Sequence, residues 1–179
     1  MAERADSRIW GHRFAFLALA FLILAAQLVP LNFRPSGFAG PDVLLAATLV
    51  WVIRKPAFLP VLAVAAVYLL ADLILLRPPG LWAALVVLLT EVLRRQHREL
   101  RNLPLLAEWG TVAVGIVVIS VAYRLILALV LAPLPPLGLT IMQAAATIVV
   151  YPLVVLVAHY IFGVRRVAPG EVGARGQRL

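Results

Sequence analysis

The chain has 179 residues, of which 64% are hydrophobic and 13% charged, and its mean hydropathy is +1.02. A water-soluble domain is about 45–50% apolar and about 25% charged, so this composition excludes a soluble globular domain, a disordered chain and a disulfide-stapled module. Cysteine is absent, which removes disulfides, thiolate metal sites and Cys nucleophiles.

A helix that crosses a bilayer needs about 20 apolar residues. Six uninterrupted apolar runs stand out: 14–31, 41–53, 57–76, 80–93, 108–132 and 139–162. Each is bounded by Pro, Gly or clustered charge, as helix ends are. The runs are apolar all round and lack period-two alternation, which predicts helices rather than strands. The expected organisation is a cytoplasmic N-terminus over 1–13, a six-helix membrane domain over 14–162 and a Gly- and Arg-rich cytoplasmic tail over 163–179. The first run follows a basic start and precedes Ala25-Ala26-Gln27, in the manner of a signal peptide. It is longer than the usual 7–15 residues of such a segment and is read as a span. Runs two and four are short, and end at Arg54-Lys55 and Arg94-Arg95. Snorkelling basic side chains extend a short span, so complete crossings are expected rather than re-entrant segments.

Basic residues alternate between loops. The N-terminus carries Arg4, Arg8 and Arg13, the second loop Arg54 and Lys55, the fourth Arg94, Arg95, Arg98 and Arg101, and the tail Arg165, Arg166, Arg175 and Arg178. The intervening loops hold only Arg34 and Arg77. That is 13 basic residues against 2, with Arg124 inside a run. The basic side is cytoplasmic by the positive-inside rule, so both termini are expected inside. The net charge of +8 is thereby assigned to the membrane surface rather than to nucleic acid.

Ionisable groups inside a bilayer face the bundle and find partners. With this orientation Asp72 lies about one turn from the outer end of run three. Arg124 lies eight residues before Ala132, or about 12 Å, also in the outer half. Tyr68 and Ser120 precede them by four and share their helix faces. An interhelical polar cluster of Asp72, Arg124, Tyr68, Ser120 and Asp42 is expected there, with Asp72 meeting Arg124 directly or through water. The alternative is that each snorkels outward alone, Asp72 toward Arg77. Gln27, Asp42 and Gln143 also fall in outer halves, as a polar pocket or as ordinary helix-end polarity. Asp42 follows Pro41 and suits a helix N-cap. Glu91 precedes Arg94 and Arg95 by three and four, which predicts an inner interfacial ion pair. His159 has no partner at metal-ligand spacing, and Pro152 is expected to kink run six.

No Gly-rich phosphate loop, Gly-x-Ser-x-Gly elbow or His-Glu-x-x-His motif occurs, and His97 has no evident catalytic partners. No catalytic residue, metal or cofactor is expected.

Residues 41–96, PDVLLAATLVWVIRKPAFLPVLAVAAVYLLADLILLRPPGLWAALVVLLTEVLRRQ, resemble MreD, the rod shape-determining membrane protein family of bacteria. The shared features are Pro41-Asp42 opening a span, Arg54-Lys55-Pro56, and Leu70-Ala71-Asp72-Leu73 near a span end. They continue with Pro79-Gly80 and a span closing at Arg94-Arg95. Length, six spans and internal termini also fit. Ala71 departs from the Gly that many members carry, although alanine still permits close helix approach.

The resemblance implies an all-α polytopic membrane protein, similar in architecture to the substrate-binding subunits of energy-coupling-factor transporters. It implies a non-enzymatic scaffold of the cell-elongation machinery for peptidoglycan in the bacterial cytoplasmic membrane. The implied partners are the single-span protein MreC, and MreB, RodA and its penicillin-binding partner. A homodimer is left open. Candidate small-residue faces for docking a partner's transmembrane helix are Ala63 and Ala66, Gly110 and Ala113, and Ala144 and Ala145; each can equally pack within the monomer. The basic segment 94–101 is expected to meet anionic lipid or an acidic cytoplasmic partner. The competing expectation is a small-molecule binding subunit of a membrane transporter, with its site among the outer polar residues.

Overall fold

An apolar chain with few polar side chains satisfies its backbone polar groups within each segment when it folds as helices. The computed structural model describes residues 2–28, 37, 39–96 and 104–162. Among the described residues are six α-helices and no strand: α1 (Ala2–Leu28), α2 (Val43–Arg54), α3 (Val61–Ile74), α4 (Leu81–Arg95), α5 (Leu105–Leu129) and α6 (Leu137–Phe162). A 3-10 turn, Pro56–Phe58, lies between α2 and α3. Each helix falls on one of the six apolar runs.

Two helices are long and apolar enough to cross a membrane, Leu105–Leu129 and Leu137–Tyr160. Only 22% of the most apolar stretch of each is buried, the reverse of a core helix in a water-soluble domain. The apolar stretches of the others are shorter. The apolar part of α1 is Arg13–Leu28, and α2, α3 and α4 have 12, 14 and 15 residues. The boundary expected at residue 13 falls inside α1, which runs unbroken through it. The third run, expected over 57–76, is divided. The 3-10 turn comes first, and Pro60, extended at φ −65° and ψ 150°, opens α3 as its N-cap residue. Arg34, His97, Arg98, Arg101 and the tail 163–179 lie outside the described residues.

Proline and leucine mark the helix ends. Pro104 opens α5 as Pro60 opens α3. Helix α3 closes with Arg77 N–H donating to the Asp72 carbonyl at 2.9 Å, with Leu76 in the left-handed region at φ 52°. Helix α5 closes the same way, through Ala132 N–H to Leu127 at 3.0 Å and Leu131 at φ 53°. These are αL C-caps with leucine where glycine is usual.

The core is built around α2, ten of whose twelve residues are buried. It packs chiefly against α6 and also against α4 and α1, α3 packs on α4, and α5 lies against α4 and α6. Trp51 of α2 meets Phe16 of α1, with ring centroids 5.9 Å apart. Gly115 lets α5 approach α4: a Cβ there would stand 2.7 Å from Leu89 Cδ1. Pro152 sits inside α6 and cannot donate to the carbonyl four residues back, Ile148. The Trp109 indole N–H donates to that carbonyl at 2.8 Å.

Candidate functional site: two polar centres at opposite ends of the bundle

Successive helices alternate in direction. One end of the bundle therefore gathers the starts of α2, α4 and α6 with the ends of α3 and α5. The other gathers the ends of α2 and α4 with the start of α5.

The first end holds a partly enclosed cavity of about 300 Å³. Its walls are mostly apolar, from Leu45, Trp82, Ile116, Leu139 and Ala144. Its polar groups are Asp42, Arg77, Ser120, Tyr123, Thr140, Gln143 and Thr147. Asp42 caps α2, its Oδ1 accepting from Leu45 N–H at 2.9 Å. Its own N–H donates to Thr147 Oγ1 at 2.8 Å, tying α2 to α6. Arg77 lies over Trp82, the guanidinium carbon 5.7 Å from the ring centroid, and Trp82 meets Tyr123 edge-on at 5.3 Å. A second cavity of about 460 Å³ adjoins it and shares Arg77, Tyr123 and Pro135 in its wall. Its remaining lining is Leu76, Pro78, Leu127, Ala132 and Pro133.

The cluster expected around Asp72 and Arg124 is rearranged. Asp72 Oδ2 accepts from Gly80 N–H and Ala83 N–H, both at 3.1 Å. Gly80 is the N-cap residue of α4 at φ 85° and has no side chain to cap with; Asp72, from the end of α3, supplies that carboxylate. Arg124 instead donates to the Pro135 carbonyl at 2.8 Å and Thr140 Oγ1 at 2.9 Å, bracing the α5–α6 connection. Tyr68 turns toward α2, its hydroxyl donating to Thr48 Oγ1 at 3.0 Å. Ser120 bonds back to the Ile116 carbonyl at 2.7 Å and reaches the cavity wall. Asp42, Ser120 and Gln143 thus share the cavity, whereas Asp72 and Arg124 each serve a helix end.

The second centre is at the opposite end. Glu108, in the first turn of α5, is fully buried. Its Oε1 is 3.3 Å from Arg54 Nη2 and accepts from the Tyr151 hydroxyl at 2.9 Å. One carboxylate therefore joins α2, α5 and α6. Sequence reading places Glu108 only at a run boundary. Its partners stand 54 and 43 positions away, and the sole hint is an acid opening an apolar run.

Glu91 bridges Arg94 at 3.5 Å and Arg95 at 3.7 Å. Arg94 also reaches the Leu59 carbonyl at 2.7 Å and the Pro56 carbonyl at 3.4 Å, so the α4 end clamps the 3-10 turn. Among the small residues, Ala63 and Ala144 pack against the core and Ala113 is half-buried. Ala66, Gly110 and Ala145 are exposed. His159 lies edge-on to Tyr160 at 5.2 Å. No group of three metal-ligating side chains occurs among the described residues.

Comparison with protein-family models, with curated proteins and with solved structures found no match to this chain.

Proposed function

We propose that the chain is a multi-pass membrane scaffold of the MreD kind, with six spans and both termini on the cytoplasmic side. It has no enzymatic role and serves bacterial cell elongation and peptidoglycan synthesis by docking the transmembrane helix of an MreC-type partner. The sequence resemblance supplies the family. The observation that carries the docking is the small-residue notch at Gly110. It sits in an exposed apolar stripe of α5 with Leu106, Val114, Val117, Val118 and Val121, and a Cβ added there would meet nothing within 4 Å. Ala66 on α3 and Ala145 on α6 lie in similar stripes, beside Leu62 and Leu70 and beside Ile141 and Val149. Helices in lipid associate where small residues allow close approach. The gathering of Arg54, Lys55, Arg94 and Arg95 at one bundle end supports the orientation.

The test is affinity purification in mild detergent with mass spectrometry of the co-purifying proteins. A single-span MreC-type protein is expected, and Gly110→Leu, Ala66→Leu and Ala145→Leu together abolish its recovery. Unchanged recovery from the triple variant overturns the docking, and transporter ATPases in its place favour a second reading. That reading, a small-molecule binding subunit of a membrane transporter, is favoured by the cavity at Asp42 and Arg77.

A further inference from the structure

The two adjoining cavities differ in character. The first carries one cation and one anion, Arg77 and Asp42, among apolar walls. The second is apolar apart from the shared Arg77 and Tyr123. Among the described residues the Arg77 guanidinium has no hydrogen bond or ion pair; it lies over the Trp82 ring, a contact that leaves its donors unspent. A planar guanidinium with free donors is suited to a phosphate, which it meets through paired hydrogen bonds. Asp42 commits Oδ1 to the helix cap and remains part of the cavity wall. A soluble metabolite would have no use for a second, greasy compartment that shares Arg77 with the first. A lipid would, because it has a polar head and an apolar chain to place in two adjoining compartments with one cation between them in common.

We infer that the two cavities hold a single zwitterionic phospholipid. Its phosphate lies on Arg77, its ammonium toward Asp42, and part of its hydrocarbon against Leu76, Leu127 and Ala132. The assignment rests on the membrane reading of the fold and goes beyond the docking of a partner helix. The lipid joins the end of α3 to the α5–α6 connection, which Arg124 braces through Pro135 and Thr140.

The experiment starts from membranes of cells expressing the full chain. Recovery of the chain in the aqueous wash, without detergent, overturns the membrane reading itself. From detergent-extracted protein, native mass spectrometry is expected to show one bound phospholipid per chain. Delipidated protein is then offered phosphatidylethanolamine, phosphatidylglycerol or inorganic phosphate, with adduct mass and thermal unfolding as readouts. Phosphatidylethanolamine is expected to rebind and stabilise the fold, phosphatidylglycerol to do so less, and phosphate alone not at all. Arg77→Gln lowers occupancy about tenfold, the loss of one charge-assisted contact. Arg95→Gln, at the opposite end, leaves occupancy unchanged. Arg77→Lys keeps the charge without the fork, so it folds normally and binds with intermediate occupancy. Occupancy in Arg77→Gln equal to the parent, equal binding of the two lipids, or stabilisation by phosphate alone each overturns the assignment.

Discussion

The Trp109 indole nitrogen lies 2.8 Å from the carbonyl of Ile148, the acceptor that Pro152 leaves without a donor inside α6. A side chain of α5 thus repairs the backbone of its neighbour. The repair lies beside Glu108, which receives the hydroxyl of Tyr151 from the same stretch of α6.

Removing the donor therefore has a conditional effect. Trp109→Phe keeps the ring and leaves the Ile148 carbonyl unpaired, which destabilises the fold by about 1 kcal/mol. With Pro152→Ala the helix regains its own donor, and Trp109→Phe costs less. Thermal unfolding in detergent across the double-mutant cycle measures the coupling; strictly additive effects contradict the repair.

The Asp72 cap yields a second expectation. Asp72→Ala removes both acceptor bonds to Gly80 and Ala83 and destabilises by about 1–2 kcal/mol, whereas Asp72→Asn retains an acceptor oxygen and loses less. Exchange of charges, Asp72→Arg with Arg124→Asp, does not rescue either single change, since the two residues serve different helix ends. Rescue, in yield and unfolding temperature, would restore the direct contact that the sequence suggested.

At the opposite end, truncating one member of a buried ion pair is worse than removing both. Glu108→Leu strands Arg54 and lowers stability by about 3–5 kcal/mol, and Arg54→Met combined with Glu108→Leu lowers it less. Tyr151→Phe removes one hydrogen bond to the charged Glu108 carboxylate and costs about 1.5–3 kcal/mol. Unfolding midpoints of the three variants give the order directly.

Helix contact at Gly115 is graded by size. Gly115→Ala is absorbed by rotation of the Leu89 side chain, whose Cδ1 is the atom in the way, and stays within about 1 kcal/mol. Gly115→Leu separates α4 from α5 and costs about 1–3 kcal/mol or more, part of which Leu89→Ala recovers. An equal loss from both Gly115 variants would show that some other contact sets the spacing.

These relationships divide by how local they are. The helix positions follow from apolar run length and from Gly80, whereas Pro60 and Pro104, which open α3 and α5, were not read as helix starts. The Asp42 cap and the Glu91 bridge to Arg94 and Arg95 follow from spacings of three and four residues. The shared end was also legible: Asp72, Arg124 and Asp42 all belong to one end of the bundle. Direction around each helix was not. A helix that is apolar all round carries no stripe to say which way Asp72 faces, so a shared end with Arg124 did not make a contact. Glu108 was missed for the same reason, since Arg54 and Tyr151 reach it only through tertiary packing.

The burial of α2 has a consequence for biogenesis. Twelve residues advance about 18 Å, far less than the roughly 30 Å of a hydrocarbon core. On the membrane reading such a segment has no stable resting place among lipids by itself. Its principal neighbour, α6, leaves the ribosome only after α3, α4 and α5. Helix α2 therefore settles only after α6 arrives, and a chain cut short before Thr147 and Tyr151 should leave its centrepiece homeless and be cleared by membrane proteases.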